Sequence, residues 1–334
     1  MDELKKIADY MVTPGKGILA SDEPPELLES KFQQLGIANN EETRRTYREL
    51  LYGTQGLEQY ISAAILHRET FEQKDSTGKR FVDLLSEKGI LPGITVDQGF
   101  DILPGTAQET WTLGLDSLST QCASYQKKGA KFTKWRPAFR IVDDISPSSI
   151  AIRTNAEMVG CYAAICQQYG LVPIIESDVL LEGSYSIETC AKVSKMVLDE
   201  IYSSLKRHHV NLQGVVAKPN MILAGMSAKS KPDPSTVAKY TLDTLLDSVP
   251  ASVPGIAFLS GGQTEQEATT HLEAINKQAR LTKQPWLLTF CYGRALQATC
   301  LQTWKGKPEN VEKAREQFLY RCKVNASASH NKAV

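Results

Sequence analysis

The sequence lacks several features that would assign it to a specialised class of protein. Lysine plus arginine and aspartate plus glutamate number 38 each among 334 residues, so the formal net charge is zero. Proteins that bind nucleic acids or membrane surfaces usually carry an excess of positive charge, and we therefore expect neither partner. No stretch reaches the roughly 18 consecutive apolar residues that a membrane-spanning helix needs.

Cysteine pairs and a targeting segment are also missing. The seven cysteines include no Cys-x-x-Cys motif, and their number is odd. Because disulfide frameworks and structural zinc sites usually show such pairs, the pattern favours a protein of a reducing compartment. The N-terminal segment MDELKKIADYMV is charged and has no apolar core like that of a secretory signal. We therefore expect a soluble, cytoplasmic protein.

What the sequence does contain is a regular alternation of predicted strands and helices. Short apolar runs recur about every 30–40 residues, the usual length of a strand–helix unit. The predicted strands are 17–23, 61–67, 90–97, 130–136, 171–178, 214–221, 255–262 and 287–294. Helical patterns occupy 40–52, 154–169, 186–208, 234–248, 264–280 and 308–323.

Eight such units predict an α/β protein with a closed (β/α)8 TIM barrel. Several runs are apolar throughout, as strands buried on both faces should be. The Gly-x-Gly-x-x-Gly turn of a dinucleotide-binding fold is absent after the first strand. No linker or change of composition divides the chain, so we expect one domain over 1–334 with a short C-terminal tail from about residue 324.

Lys218 is the first candidate catalytic residue. Functional groups of such barrels lie at the carboxyl ends of the strands, and Lys218 ends the apolar run 214–217. Burial and nearby cations such as Lys134 or Arg136 should lower its pKa, and a neutral amine can form a Schiff base with a ketone or aldehyde. Taken alone, a lysine at this place is more often the ion-pair partner of a carboxylate.

Two carboxylates are candidate acid/base groups. Glu176 ends another apolar run, where burial should raise its pKa and suit it to general acid/base catalysis. Asp22 could exchange the proton of a hydroxyl beside the bond that breaks. Either carboxylate could also simply pair with Lys134 or Lys218, and the two interpretations are compatible because such pairs often line active sites.

The last two predicted strands end in a candidate phosphate site. Glycines allow backbone N–H groups to approach an anion, a following helix adds its dipole, and an arginine adds a fork of donors. This part of a barrel frequently binds phosphate. The candidate residues are Ser260, Gly261, Gly262, Gly293 and Arg294.

The sequence as a whole resembles the class I fructose-1,6-bisphosphate aldolases of eukaryotic type. The resemblance runs from Gly15 to about residue 322, and its strongest pieces are ILASDE, KFTKWR, CQQYGLVPIIE, AKPNM, FLSGGQTEQEA and TFCYGRALQA. It implies a lyase that cleaves a ketose phosphate, such as fructose 1,6-bisphosphate, into dihydroxyacetone phosphate and an aldehyde. It also implies a homotetramer that needs no metal and no cofactor.

The resemblance implies a role for each candidate residue. Lys218 matches the Schiff-base lysine, Glu176 the acid/base of carbinolamine chemistry, and Asp22 the aspartate that acts at the C–C bond. Lys134 matches an assisting lysine, and Arg136 a substrate-binding arginine. The residues that match the phosphate site of the ketone half are Ser260, Gly261, Gly262, Gly293 and Arg294.

The sequence departs from the family pattern at the opposite phosphate site, on the aldehyde half. Pro24 and Leu27 stand where the family has two serines, and Thr95 and Gln98 stand where it has lysines. Glu26 in the same loop would repel an anion. The family also has a tail tyrosine that helps to protonate the enamine, whereas the segment 331–334 has none, and we expect slow protonation at this step.

Three hypotheses follow. The protein could cleave fructose 1,6-bisphosphate. It could keep dihydroxyacetone phosphate but use an unphosphorylated or differently shaped aldehyde, as in the cleavage of fructose 1-phosphate. It could also be a non-catalytic scaffold that retains the fold, although the presence of all four candidate catalytic side chains argues against this.

Overall fold

The protein folds as a parallel barrel surrounded by helices, in a computed structural model that describes residues 2–142 and 147–330. Within these ranges the strands are β1 (Gly17–Ser21), β2 (Ile61–Leu66), β3 (Leu91–Thr95), β4 (Phe100–Ile102), β5 (Thr110–Thr112), β6 (Phe132–Trp135), β7 (Ala138–Arg140), β8 (Val172–Leu180), β9 (Val216–Pro219), β10 (Gly255–Phe258) and β11 (Leu287–Tyr292). The parallel order β6-β3-β2-β1-β11-β10-β9-β8 closes where β8 pairs with β6. The predicted (β/α)8 TIM barrel is therefore confirmed, with all eight predicted strands in place.

The helices lie outside this barrel and pack in sequence around it. They are α1 (Asp2–Met11), α2 (Pro25–Gln34), α3 (Glu41–Gly53), α4 (Arg68–Glu72), α5 (Phe81–Glu87), α6 (Leu118–Lys127), α7 (Ser149–Gln168), α8 (Ile187–Arg207), α9 (Pro234–Ser248), α10 (Glu265–Thr282), α11 (Arg294–Trp304) and α12 (Val311–His330). Several begin at the residue types that favour helix starts, for example Asn40, Ser186 and Asp233, whose side chains accept backbone N–H groups.

The interior of the barrel is filled by alternate side chains of its strands. Side chains two residues apart on a strand face the same side, so each strand contributes every second residue to the interior. An apolar cluster fills this interior and extends onto α1, which contributes Leu4, Ala8 and Met11. The interior is thus a packed core, and charged groups can enter it only at the strand ends.

Some local features differ from the sequence predictions. The hairpin of β4 with β5 and the short strand β7 beside β8 were not predicted, because three-residue strands carry too little alternation to be recognised. Helix α7 begins at Ser149 with Ser148 as its cap, five residues before the predicted start. Helix α12 continues to His330, so residues 324–330 of the expected tail are helical. Residues 331–334 lie outside the described residues.

None of the helices within the described ranges is long and apolar enough to cross a membrane.

Candidate active site

The four candidate catalytic side chains lie at one level of the barrel. Immediately below them are interior apolar residues of four strands, namely Ala20, Phe132, Ile174 and Val216. Two residues further along each strand, and therefore facing inward again, stand Asp22, Lys134, Glu176 and Lys218. The register places Glu176 of β8 directly beside Lys218 of β9. The sequence thus builds the site by ending four apolar strands with a charge on the interior face.

These four side chains form a chain of ion pairs. The Lys134 Nζ atom lies 3.0 Å from Asp22 Oδ2 and 3.6 Å from Glu176 Oε2, and the Lys218 Nζ atom lies 3.1 Å from Glu176 Oε1. Glu176, Lys134 and Lys218 are all buried. Glu176 Oε2 accepts no hydrogen bond from any described residue. That oxygen is therefore available to a hydroxyl or amine of a bound ligand.

The ion pairs set the pKa values of the network. Burial alone would lower the pKa of Lys218, but the carboxylate of Glu176, 3.1 Å away, raises it above its usual value. Burial would raise the pKa of Glu176, but Lys134 and Lys218 lower it. The predictions of a lowered pKa for Lys218 and a raised pKa for Glu176 are therefore wrong, because opposite charges within about 4 Å outweigh desolvation here.

Lys134 and Cys291 complete this electrostatic environment. Burial would lower the pKa of Lys134, but Asp22 and Glu176 raise it, so Lys134 is a fixed positive charge. Burial raises the pKa of the Cys291 thiol to about 12, so this cysteine is a neutral thiol rather than a nucleophile.

Acid should destabilise the fold through Asp22. Burial would raise the pKa of Asp22, but Lys134 and Lys218 lower it from 3.8 to about 2. A carboxyl whose pKa is lowered by folding stabilises the fold above its unfolded pKa, and this contribution is lost as the pH falls toward the folded pKa. We expect a contribution of about 2 kcal/mol above about pH 5, of which roughly half is lost at about pH 3.

Urea unfolding between about pH 6 and about pH 3 tests this expectation. The Asp22→Asn variant should lose less stability over that range than the unchanged chain does, by about 1 kcal/mol. An identical pH dependence for both proteins would contradict the assignment.

One end of the cavity presents free donors for an anion. Gly293 precedes α11 and provides no side-chain cap, so the helix begins with uncapped N–H groups. Gly262 has a φ angle of 74°, and a side chain there would collide with Leu181. Arg294 donates from Nη2 to the Gln263 carbonyl at 2.9 Å and forms no ion pair with another described residue.

At the opposite end, two of the cations, Arg136 and Lys31, are already paired. Arg136 donates from Nε and Nη2 to Asp178 Oδ2 at 2.9 and 2.7 Å, and its guanidinium lies 5.6 Å from the centre of the Phe100 ring. Lys31 pairs with Glu23. The pKa of Asp178 is raised, because burial outweighs the attraction of Arg136. Arg136 and Lys31 therefore offer less positive charge to an anion than Arg294 does.

All thirteen candidate residues of the sequence analysis line one cavity of about 1030 Å³. They include the substituted positions Pro24, Leu27 and Thr95, and the fourth substituted position, Gln98, lines the same cavity. The sequence analysis missed several other lining residues, namely Glu23, Lys31, His67, Arg68, Phe100 and Asp178. Asp178 could have been found because it lies two residues after Glu176, on the same side of β8.

Within residues 2–142 and 147–330, no three or more His, Cys, Asp or Glu side chains are grouped so that they could hold a metal ion.

Comparisons with known proteins agree with this architecture. A family model described as "Fructose-bisphosphate aldolase class-I" matches residues 3–334. The chain is 49% identical to "Fructose-bisphosphate aldolase 4, cytosolic" of Arabidopsis thaliana over 98% of this chain and 82% of the relative. It is 47% identical to "Fructose-bisphosphate aldolase 1" of Caenorhabditis elegans, over 99% of this chain and 90% of the relative.

A solved structure is also similar over nearly its whole length. It is a ternary co-crystal structure of fructose-bisphosphate aldolase from Plasmodium falciparum, in complex with TRAP and a small-molecule inhibitor. The TM-score is 0.96 at 44% identity, and the match covers 99% of this chain and 95% of that one. On the family model and these identities, the chain belongs to the class-I fructose-bisphosphate aldolase family.

Proposed function

We propose that the protein is an aldehyde-lyase that reversibly cleaves fructose 1,6-bisphosphate into dihydroxyacetone phosphate and an aldehyde phosphate, through a Schiff base on Lys218. The observation that carries this proposal is the buried contact of 3.1 Å between Lys218 Nζ and Glu176 Oε1. An ammonium group cannot attack a carbonyl, and Glu176 is the adjacent base that can take its proton.

Schiff-base formation uses these two residues in turn. Glu176 accepts a proton from Lys218, and the neutral amine adds to the ketone carbon while a second proton of its nitrogen passes to the ketone oxygen, giving a carbinolamine. Glu176 then protonates the resulting hydroxyl, which leaves as water and gives an iminium ion. The carboxylate thus acts first as base and then as acid, and both of its oxygens face the buried amines.

Cleavage of the carbon–carbon bond uses Asp22. Its carboxylate takes the proton of the C4 hydroxyl, the C3–C4 bond breaks, and the electron pair of that bond moves to the iminium, giving an enamine and a free aldehyde. Lys134, 3.0 Å from Asp22, holds the carboxylate in its ionised form. The proton that Asp22 took up returns to the enamine carbon, and addition of water to the resulting iminium then releases dihydroxyacetone phosphate and restores Lys218.

The phosphate of the ketone half binds at the end of the cavity beyond β10 and β11. The supporting features are Arg294, which carries no ion-pair partner among the described residues, and the uncapped start of α11. Gly262, with its positive φ angle, allows the loop to turn tightly beside these donors. A charge-assisted hydrogen bond to an anion contributes about 1.5–3 kcal/mol, so this end fixes the direction in which the substrate lies.

A second candidate function is cleavage of a ketose 1-phosphate, with release of an unphosphorylated aldehyde. The observation that favours it is the composition of the aldehyde end, where Leu27 and Phe100 are exposed and Arg136 is already paired with Asp178. The non-catalytic alternative has no such support, because the complete ion-pair network would then have no use.

Steady-state cleavage of fructose 1,6-bisphosphate and fructose 1-phosphate tests the proposal and separates the two candidates. We expect kcat/KM to be higher for the bisphosphate by about tenfold or more, since one additional charged hydrogen bond contributes about that factor. Equal values, or a preference for fructose 1-phosphate, would favour the second candidate. Absence of cleavage of both sugars would contradict both.

Further properties are proposed on the resemblance and on the names of the relatives. The name of the Arabidopsis thaliana relative supports a cytoplasmic location. We also propose one domain over the whole chain, assembly as a homotetramer, a sugar phosphate as the only small-molecule partner, and catalysis without a metal or cofactor.

A further inference from the structure

Arg68 is a cation of the cavity that the sequence analysis did not single out. It is the first residue of α4, directly after His67, which follows β2. Its side chain is exposed, and it lines the main cavity together with Pro24, Leu27 and Thr95 at the aldehyde end. Its place just beyond the end of a barrel strand is the same as that of the candidate catalytic residues.

The guanidinium of Arg68 lies over the end of β3. Its Nη2 atom donates to the Asp97 carbonyl at 3.1 Å. The Asp97 side chain in turn accepts a hydrogen bond from Thr95 Oγ1 at 3.0 Å. Arg68 therefore brings positive charge to the segment 95–97, where the family resemblance implies a lysine and this chain has Thr95.

The charge of Arg68 is not paired with a carboxylate within the described parts of the chain. Arg136 and Lys31, the other cations nearby, are paired with Asp178 and Glu23. Arg68 makes no ion pair within residues 2–142 and 147–330, and its hydrogen bond to the Asp97 carbonyl uses one of five N–H donors. A guanidinium with spare donors in a cavity is suited to bind a phosphate group through two parallel hydrogen bonds.

Arg68 also borders a second cavity, which contains acidic side chains that could compete for it. Two of them already have cationic partners. Glu69 accepts two hydrogen bonds from Arg44, and Glu72 accepts one from Lys128. Asp75 accepts three hydrogen bonds within its own turn. Glu69, Glu72 and Asp75 are therefore already engaged, and the fourth acid of this cavity, Glu41, forms no ion pair with Arg68 within the described residues.

We propose that Arg68 binds the phosphate of the aldehyde half of fructose 1,6-bisphosphate and so determines the preference for a doubly phosphorylated sugar. The inference rests on the proposed function for the identity of the substrate. The family resemblance implies that a lysine at the end of β3 binds this phosphate, and the inference assigns that role to the connection between β2 and α4. It therefore explains how the chain could bind a bisphosphate although Pro24, Leu27 and Thr95 replace the residues of the family.

Calorimetric titration of the full chain tests the assignment without requiring turnover. The ligands are hexitol 1,6-bisphosphate, which has no carbonyl and reaches both ends, and dihydroxyacetone phosphate, which reaches only the ketone end. The Arg68→Gln variant should bind the hexitol bisphosphate about ten- to a hundredfold more weakly and dihydroxyacetone phosphate within about twofold of the unchanged chain.

Arg80→Gln is a matched control variant. Arg80 is also partly exposed and donates to a backbone carbonyl, that of Lys128 at 3.2 Å, but it lies outside the cavity. Its loss should leave both affinities unchanged. The inference is overturned if Arg68→Gln weakens the binding of both ligands equally or weakens the binding of neither.

Kinetics distinguish a failure of this inference from a failure of the proposed function. In an active enzyme, Arg68→Gln should lower kcat/KM for fructose 1,6-bisphosphate about ten- to a hundredfold and leave that for fructose 1-phosphate within about twofold. Equal loss for both sugars overturns the role of Arg68 alone. If the unchanged chain cleaves neither sugar, the proposed function fails, and the calorimetric result still decides whether Arg68 binds the second phosphate.

Discussion

Replacing Lys218 with methionine should abolish cleavage while leaving the fold intact. Methionine is unbranched and similar in length but has no amine, so no covalent intermediate can form. By analogy with the loss of other nucleophiles, we expect kcat to fall by at least about 10⁴-fold. Borohydride reduction in the presence of dihydroxyacetone phosphate should give an adduct on the unchanged chain, detected by mass spectrometry, and none on the Lys218→Met variant.

The Lys218→Met variant should lose less stability than the roughly 3–5 kcal/mol that is usually lost when one partner of a buried ion pair is removed. The reason is that Glu176 keeps a second cation, Lys134, at 3.6 Å. Lys134→Met is a matched control, because it removes the other buried lysine of the network but leaves the attacking amine. It should still give the borohydride adduct. An adduct on the Lys218→Met variant would contradict the assignment of Lys218 as the nucleophile.

Replacing Glu176 with glutamine should lower both activity and stability. The variant loses the base that takes the proton of Lys218, and general acid/base catalysis contributes about 10²- to 10⁴-fold. It also leaves the buried Lys218 without a carboxylate at hydrogen-bonding distance. Because an unpartnered buried charge is costly, we expect the free energy of unfolding to fall by about 3–5 kcal/mol.

Two measurements check this expectation for Glu176→Gln. Urea unfolding reports stability, and the rate of borohydride trapping in a single turnover reports Schiff-base formation. Glu69→Gln is the control, since Glu69 forms a partly exposed pair with Arg44 and its loss should cost about 1 kcal/mol or less. A trapping rate for Glu176→Gln equal to that of the unchanged chain would show that another group takes the proton.

The positions of the candidate catalytic side chains could be predicted from the sequence, because charges at the ends of barrel strands are simple to place. A charge that ends an apolar strand on its interior face must lie at the mouth of the barrel. Lys218, Glu176 and Lys134 all satisfy this rule, and the structure places them together. The alternation of strands and helices does not predict the roles of these residues, and only the family resemblance implied them.

The pKa directions could not be predicted in the same way. They depend on distances between residues far apart in the chain, such as the 3.0 Å between Lys134 and Asp22. Burial alone, which the apolar sequence around Lys218 and Glu176 does reveal, gives the wrong direction for both. The direction of each pKa shift can be predicted only when the positions of the opposite charges are known.

Arg68 was missed for a related reason. Arg68 is separated from the end of β2 by His67. The apolar run of β2 therefore gave no indication that the Arg68 side chain turns into the cavity. The short hairpin that carries Phe100 was missed as well, although the Phe100 ring lies against Arg136. Loops and three-residue strands at the mouth of a barrel have little periodicity, and only packing determines where their side chains point.

The chain of two carboxylates and two amines conserves its total charge throughout the catalytic cycle. An iminium carries the same single positive charge as the ammonium of Lys218 from which it forms. When that amine is neutral, its proton resides on Glu176, 3.1 Å away, so the sum over the network is unchanged. The buried site therefore never has to take up or release an ion to balance the covalent chemistry. Such a network can stay rigid while the substrate changes, which limits the reorganisation that each step requires.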